Sequence, residues 1–311
     1  MPSHSPIYDA LAGLFPSNAP RSLYIWDPPN TPLSTPQAAA AAIATYLVVI
    51  FGGRYFMKDR RALGESLKIP FLIHNLALTI GSGALLAVML EEVLPILNRG
   101  GALYGICHPA AWTTRLETFY LINYYFKYWE LLDTVFLVLK KKPLQFLHVY
   151  HHSATALLCY TQLTGKTSVS WVVIVLNLAV HVIMYFYYAL SSLKIRVPWK
   201  QLVTVCQITQ FVIDLCVVYF ACAVHWSYSQ NIKLPFFSKP TDCSGSEGAA
   251  LAGCACLTSY LFLFLSFYAR TYKKDGKAGV KKAAANGRPI AGNGRINSNG
   301  NGKSNGQASK Q

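Results

Sequence analysis

Residues 147–160 read LHVYHHSATALLCY and place three histidines in a run that is otherwise largely apolar. His148, His151 and His152 occupy positions i, i+3 and i+4, which lie on one face of a helix. Imidazoles are costly in hydrocarbon, and ionisable residues inside a membrane are functional candidates by default. This stretch therefore predicts a membrane helix with a histidine face that has a chemical use.

The composition is that of an integral membrane protein. Of the 311 residues, 53% are hydrophobic and 13% are charged, whereas soluble domains carry about 25% charged residues. The net charge of +15 is concentrated at the C-terminus, where the chain from Arg270 onward holds ten Lys or Arg and one acid. This Gly-, Asn- and Ser-rich tail predicts a disordered segment that contacts anionic lipid headgroups rather than nucleic acid.

Seven segments meet the requirement of about 20 mostly apolar residues for a membrane-crossing helix. They are residues 37–57, 70–96, 116–139, 144–163, 168–190, 200–224 and 248–270. Polar residues interrupt the third and fourth segments, so hydropathy alone can miss one of them. The sequence predicts one all-α integral membrane domain at 37–270, a lumenal segment at 1–36 and a basic, disordered cytosolic tail at 271–311.

Positive residues predict the orientation of the spans. The loops after spans one, three and five hold ten Lys or Arg, and the basic tail joins them. The N-terminal segment and the loops after spans two, four and six hold six over longer stretches. We therefore expect a lumenal N-terminus and a cytosolic C-terminus. Cys107 and Cys243 lie outside the spans on the oxidising side, so a disulfide between them is a hypothesis.

Four other spans carry polar residues at helical spacing. These residues are Lys127, Glu130 and Asp133; Asn177 and His181; Thr204, Gln207 and Gln210; and the pair His74 and Asn75. At 1.5 Å per residue the three histidines lie about 9–15 Å from the cytosolic end, and the other motifs reach a similar depth. Taken singly, the glutamines and His74 are typical of helix packing. Lys127, Glu130 and Asp133 are typical of a buried ion-pair network. Four imidazoles at one depth favour a common site.

Two chemistries suit such a site. In the first, the histidines bind metal, as the histidine boxes of di-iron desaturases and hydroxylases do, but those sites need about eight ligands. Four histidines cluster here, or five with His74, and zinc held by three of them stays open. In the second, a neutral imidazole attacks a thioester while its neighbours act as acid, base or oxyanion donor. A receptor or transporter has no need of these matched motifs.

Four stretches resemble the signature motifs of the very-long-chain fatty acid elongases, also called 3-oxoacyl-CoA synthases. They are KYWELLDT (127–134), FLHVYHH (146–152), NLAVHVIMYFYY (177–188) and TVCQITQ (204–210). The family patterns KxxExxDT, HxxHH, HxxMYxYY and TxxQxxQ are met in order and at every fixed position. HHSATALLCYTQL further resembles the fungal branch. Four motifs in series are far more specific than one.

The resemblance implies seven transmembrane helices in the endoplasmic reticulum membrane, with spans two to seven around a central acyl tunnel. It implies condensation of a long-chain acyl-CoA with malonyl-CoA to give 3-oxoacyl-CoA, CO₂ and CoA, with no cofactor and no metal. The implied partners are the lipid bilayer and the 3-oxoacyl-CoA reductase, dehydratase and enoyl reductase of the elongation cycle, and a homodimer stays open. One departure is the ending GQASKQ, which lacks the dilysine retrieval signal of many relatives.

The resemblance also suggests roles for the motif residues. His151 is expected to carry the acyl group as an acyl-imidazole, while His148, His152 and His181 move protons and polarise carbonyls. The expected supporting or substrate-orienting residues are Lys127, Glu130, Asp133, Asn177, Tyr185, Gln207, Gln210 and Asn75. Cys159 is the rival acyl carrier because soluble ketosynthases use cysteine, but it lies about 10 Å beyond His152 along the helix.

Two further expectations concern the ends of the site. The phosphates of CoA need cations at the cytosolic mouth, and the candidates are Lys140, Lys141, Lys142, Lys194, Arg196 and Lys200. At the opposite, deep end, residues 217–225 of span six are expected to line the tunnel and to limit chain length. We expect alanine at Tyr219 or Phe220 to shift the length of the product.

Overall fold

A computed structural model describes residues 6–12, 22, 24–232 and 242–273, and these residues form helices and loops without a strand. The helices are α1 (Pro6–Ala12), α2 (Pro36–Phe56), α3 (Lys68–Cys107), α4 (Thr114–Glu130), α5 (Leu132–Leu139), α6 (Phe146–Gly165), α7 (Ser170–Ser192), α8 (Lys200–Ser229) and α9 (Glu247–Tyr268). A 3-10 turn, Pro109–Ala111, precedes α4, and a π-helical turn, Ala269–Lys273, follows α9. Beyond residue 273 the predicted tail lies outside the described residues.

Five helical segments are long and apolar enough to cross a membrane. They are Pro36–Phe56, Lys68–Cys107, Ser170–Ser192, Lys200–Ser229 and Glu247–Tyr272. The predicted third span is divided at Leu131 into α4 and α5, and the predicted fourth span is α6, which holds the three histidines. All seven predicted segments are therefore helical, but α4 and α5 are each too short to count as a span, and α6 does not reach the same mean hydropathy.

One end of the helical bundle, here called the basic end, collects the loops after α2, α5 and α7. The backbone N–H of Leu63 donates to the carbonyl oxygen of Leu139. Lys141 Nζ donates to the carbonyl oxygens of Lys58 and Arg60 at 2.9 and 3.0 Å. Lys194 forms an exposed ion pair with Glu65. These contacts join the three loops that hold most of the basic residues outside the tail.

The opposite end, here called the disulfide end, collects the loops after α3, α6 and α8. A disulfide joins Cys107 to Cys243, the pair expected from the sequence. The Ser244 N–H donates to the Cys107 carbonyl, and the Ser168 N–H donates to the Ser244 carbonyl. Gly101 in α3 has a φ of 77°, which glycine adopts readily, so the helix bends before it reaches the disulfide. Successive helices thus run alternately between the two ends.

Six helical segments, from α3 to α9 with α4 and α5 counted as one, contact one another in an order that returns from the last segment to the first. The order of contacts within the described chain is α3, α7, α8, α9, α6, α4 and back to α3, with the most extensive contact between α3 and α7. Helix α2 packs outside this order, against α5 and α6. The fully buried Tyr124 and Leu178 belong to a core between α3, α4, α6 and α7 that holds the order on one side.

Candidate active site

One residue from each of the four sequence motifs lines a single cavity. Lys127 of α4, His151 of α6, Asn177 of α7 and Gln210 of α8 contribute to its wall. The cavity has a volume of about 410 Å³ and runs from these residues toward the disulfide end. Its remaining lining there is mostly apolar and includes Leu158, Val173, Ile174, Phe211, Val218, Ala221 and Leu257. The four motifs, which the sequence predicts at one depth in the membrane, therefore each contribute a residue to the same cavity wall.

A network of paired side chains surrounds Lys127. Its Nζ donates to Glu130 Oε1 and to Asn177 Oδ1, each at 2.8 Å. Since a lysine ammonium only donates, the Asn177 oxygen must face Lys127, and the Asn177 amide nitrogen then points to His181 Nε2 at 3.2 Å. Neutral His181 consequently carries its proton on Nδ1, which lies 3.2 Å from Glu130 Oε1 at an angle unfavourable for a hydrogen bond. The lysine thus determines the tautomer of the histidine.

The three histidines of α6 form a partly buried group. The ring centroids of His148 and His152 are 4.4 Å apart, and those of His151 and His152 are 5.8 Å apart. His151 packs against Tyr260 of α9, with ring centroids 4.6 Å apart. His148 Nε2 and His151 Nδ1 have no hydrogen-bond partner among the described residues. His151 and His152 are close enough to His181 for electrostatic interaction, and of these four histidines only His151 lines the cavity.

Asp133 belongs to a different network from the lysine that precedes it by six residues. The two carboxylate oxygens of Asp133 contact His74 Nε2 and the Tyr185 hydroxyl, each at 2.8 Å. The spacing of Lys127, Glu130 and Asp133 predicts one continuous helical face, but the break at Leu131 separates Asp133 from the first two. Asp133 and Tyr185 therefore connect α5, α3 and α7 rather than the cavity wall.

The amides of Gln207 and Asn75 lie apart from the cavity. Gln207 Nε2 donates to the sulfur of Met184 at 3.3 Å. Asn75 Nδ2 donates to the carbonyl oxygen of Phe71 on its own helix, and its Oδ1 has no partner among the described residues. Gln210 Nε2 donates to Asp214 Oδ2 at 3.0 Å. Asp214 is completely buried and was not singled out in the sequence, although a lone acid in an apolar span is a signal that could have identified it.

The six cations proposed to bind the phosphates of CoA differ in whether their side chains already have partners. Lys140 Nζ lies 3.1 Å from the centroid of the Phe71 ring, and burial, followed by the charge of Lys142, lowers the pKa of Lys140. Lys141 is held by backbone carbonyls, and Lys194 pairs with Glu65. Three cations are exposed and have no partner among the residues that the structure describes, and these are Lys142, Arg196 and Lys200.

The far half of the cavity corrects one expectation from the sequence. Within residues 217–225 of α8, those that line it are Val218, Ala221, Cys222 and His225, which share one helical face. Tyr219 and Phe220 are 49% and 41% exposed on the other side of the helix, so the prediction that they line the deep end was wrong. A helix presents only one face to a cavity, and the sequence alone did not show which face that is.

Two alternatives from the sequence can be placed in this geometry. Cys159 lines the cavity two turns beyond His151, and its sulfur accepts a long hydrogen bond, 3.7 Å, from Asn123 Nδ2. Within the described residues, no group of three or more His, Cys, Asp or Glu side chains is arranged to hold a metal ion. His151 and Cys159 both line the cavity, beside its apolar side chains.

Comparison with known proteins identifies similar sequences over most of the chain. Residues 31–280 match the family described as the GNS1/SUR4 (ELO) family. A Schizosaccharomyces pombe protein named "Putative fatty acid elongase 1" is 51% identical over 258 residues, which cover 83% of this chain and 76% of that protein. A second from the same organism, "Putative fatty acid elongase 2", is 45% identical, covering 81% and 67% of the two chains. "Long chain fatty acid elongase 1" of Caenorhabditis elegans is 34% identical, covering 76% and 79%.

Proposed function

Because the chain belongs to the GNS1/SUR4 (ELO) family, we propose that it is a fatty acid elongase that condenses a long-chain acyl-CoA with malonyl-CoA. The products are 3-oxoacyl-CoA, CO₂ and free CoA. The observation that carries this proposal is the cavity in which Lys127, His151, Asn177 and Gln210 meet at the end of an apolar chamber. Such a chamber suits an acyl chain, since each buried methylene contributes about 0.8 kcal/mol.

The first half of the reaction transfers the acyl group to the enzyme. A neutral imidazole nitrogen of His151 attacks the thioester carbonyl, the C–S bond breaks, and CoA leaves as the thiol with the proton that the imidazole gives up. His151 is the acyl carrier best supported by the geometry because it lines the cavity while His148, His152 and His181 do not. The acyl-imidazole that forms is an activated acyl donor.

The second half of the reaction forms the carbon–carbon bond. Malonyl-CoA loses CO₂, and its C2 carbon attacks the acyl-imidazole carbonyl, which releases 3-oxoacyl-CoA while His151 regains a proton. Asn177 lines the cavity with its oxygen held by Lys127 and its nitrogen beside His181, and in the proposed reaction its second amide N–H donates to the reacting carbonyl oxygen. Fixed donors of this kind stabilise the negative charge that develops on oxygen in the transition state.

The two ends of the bundle suit the two parts of the substrate. We propose that seven helices cross the endoplasmic reticulum membrane, with the basic end in the cytosol and the disulfide end in the lumen. Lys142, Arg196 and Lys200 are then free to bind CoA phosphates at the cytosolic mouth. The acyl chain lies along α8 from Gln210 to His225, a length of about 22 Å, as the predicted central tunnel requires. We propose that the reductase, dehydratase and enoyl reductase act on its product.

Incorporation of labelled malonyl-CoA by the purified protein tests the proposal directly. The wild-type protein should form labelled 3-oxoacyl-CoA and release CO₂ when given long-chain acyl-CoA. His151→Ala should reduce incorporation by at least about 1,000-fold because the acyl carrier is lost. The matched control is His108→Ala, since His108 stacks on Tyr104 outside the cavity.

The residue that carries the acyl group, His151 or Cys159, can be identified by incubating the protein with acyl-CoA in the absence of malonyl-CoA. With acyl-CoA alone, an acyl adduct on His151 in a proteolytic digest supports the proposal, whereas an adduct on Cys159 assigns the carrier role to the thiol. Product formation by wild type that needs no malonyl-CoA would contradict the condensation itself.

A further inference from the structure

Asp214 is a buried acid without a counter-ion, one turn beyond Gln210 on α8. Its side chain is completely buried, and its helix neighbours Phe211, Leu215 and Val218 are buried as well. Asp214 Oδ2 accepts the hydrogen bond from Gln210 Nε2, whereas Oδ1 has no partner. No Lys, Arg or His side chain in the described part of the chain forms an ion pair with it. Its surroundings are therefore those of a neutral group.

A carboxylate in such surroundings is very costly, and a buried acid without a partner takes up a proton instead. With the Gln210 N–H donated to Oδ2, the proton belongs on Oδ1, which has no partner among the described residues. The neutral acid then presents a carbonyl oxygen to Gln210, as an amide would. A neutral Asp214 can therefore lie among the buried apolar side chains of α8.

The hydrogen bond to Asp214 determines how Gln210 is oriented. The amide nitrogen of Gln210 points toward Asp214, and the amide oxygen, Oε1, has no partner among the described residues. Gln210 lines the cavity, and so does His151, whose ring centroid is 6.2 Å from that of Phe211, the residue next to Gln210. His151 Nδ1 likewise has no partner. An unpaired acceptor and an unpaired imidazole nitrogen thus belong to the same part of the cavity wall.

The two amides of the cavity wall are held with opposite polarity. Lys127 occupies the oxygen of Asn177, so that the Asn177 nitrogen is the end turned to His181. Asp214 occupies the nitrogen of Gln210, so that the oxygen is the end left for the cavity. Asn177 is therefore a donor and Gln210 an acceptor. A carbonyl group of a thioester needs a donor, whereas an imidazole N–H needs an acceptor.

We propose that Asp214 is a positioning residue that turns the amide oxygen of Gln210 toward the cavity, where it accepts a hydrogen bond from an imidazole N–H of His151. This inference rests on the proposed condensation reaction. Gln210 then supports the histidine when its other nitrogen attacks the thioester, rather than polarising the thioester carbonyl. Neither residue exchanges a proton with the substrate in this role.

The test compares three substitutions at position 214 by kcat and KM for malonyl-CoA incorporation. Asp214→Leu removes the acceptor for Gln210 and should lower kcat about tenfold with little change in the KM for acyl-CoA. Asp214→Asn keeps a carbonyl oxygen in the same place, so its kcat should fall less than about threefold. Ile213→Leu, on the exposed side of the same helix, is the control. Thermal unfolding in detergent confirms that each variant is folded.

A double-mutant cycle separates positioning from a general structural role. If Asp214 acts through Gln210, then Asp214→Leu should have no further effect on kcat in a Gln210→Ala background. Equal, additive losses in the two backgrounds would overturn the inference, as would an Asp214→Asn variant as impaired as Asp214→Leu. If instead the wild-type protein incorporates no malonyl-CoA at all, the proposed function fails, and this outcome is distinct from either result.

Discussion

The two halves of the cavity differ in the side chains that line them, which are paired polar groups in one half and mostly apolar groups in the other. At the histidine level, charged and polar groups from α4 and α7 are paired through Lys127, which contacts both Glu130 and Asn177. Toward the disulfide end, the wall consists mostly of apolar side chains, with Val218 and Leu257 as examples. In the proposed reaction, the polar half holds protons and side-chain orientations, while the apolar half accommodates the acyl chain. Substitutions in the first should change rate, and those in the second should change chain length.

The largest effect is expected from breaking the polar half at Lys127. Lys127→Met leaves Glu130 as a buried carboxylate without its cation, which costs about 3–5 kcal/mol. Total stabilities are about 5–15 kcal/mol, so this loss is a large part of the total, and the variant should unfold or aggregate much more readily than wild type in detergent. Lys127→Met combined with Glu130→Gln should recover a monodisperse, folded protein on size-exclusion chromatography while activity stays low. A folded and active single variant would show that the pair is not a structural requirement.

A smaller effect is expected from Asn177→Asp. The aspartate keeps an oxygen for Lys127 but loses the amide N–H that points to His181 Nε2. We expect kcat, measured on the folded fraction, to fall about 100-fold, since loss of one preorganised donor costs about that much. Gln201→Leu removes an exposed hydrogen bond to Tyr268 and serves as the control. Wild-type kcat in Asn177→Asp would mean that the donor is not used in the reaction.

The apolar half should respond in product length rather than in rate. A Cβ atom on Gly253 would lie 3.8 Å from Gln162 Nε2 and 3.9 Å from Val218 Cγ1, so a larger side chain there projects into the cavity. Gly253→Leu should shorten the longest product, measured by mass spectrometry after repeated elongation in microsomes. Gly248→Leu, at an open position of the same helix, and Tyr219→Ala, on the outer face of α8, should leave the product lengths as in wild type. Equal shifts in all three variants would contradict this division of the cavity.

The smallest effect is expected outside both halves, at the basic end. Lys142→Gln removes an exposed cation without a described partner, and the KM for malonyl-CoA should rise about two- to threefold at low salt. The same change at Lys141, which is held by backbone carbonyls, should alter the KM less. Added salt should abolish the difference, because exposed charges are screened. A reversed order of the two variants would assign the phosphate contact to Lys141.

The family and the helical architecture could be predicted from the sequence because both depend on local patterns. The four motifs indicated the elongase family, which the match over residues 31–280 confirms. Apolar runs predicted helices at all seven positions, although the third is divided at Leu131 into two short helices and the fourth, α6, falls below the hydropathy of a span. Helical spacing also predicted that Lys127 and Glu130 lie on one face, and they form an ion pair.

Tertiary structure decided which neighbour each face meets. Because the helix breaks at Leu131, Asp133 contacts His74 and Tyr185. Regular helical spacing does not predict these contacts. Likewise, the periodicity of residues 217–225 defines several helical faces equally well, and only the packing of α8 against α7 and α9 turns Val218 inward and Tyr219 outward. Spacing along one helix is a local property of the backbone, whereas the partner of a side chain depends on contacts between helices far apart in sequence.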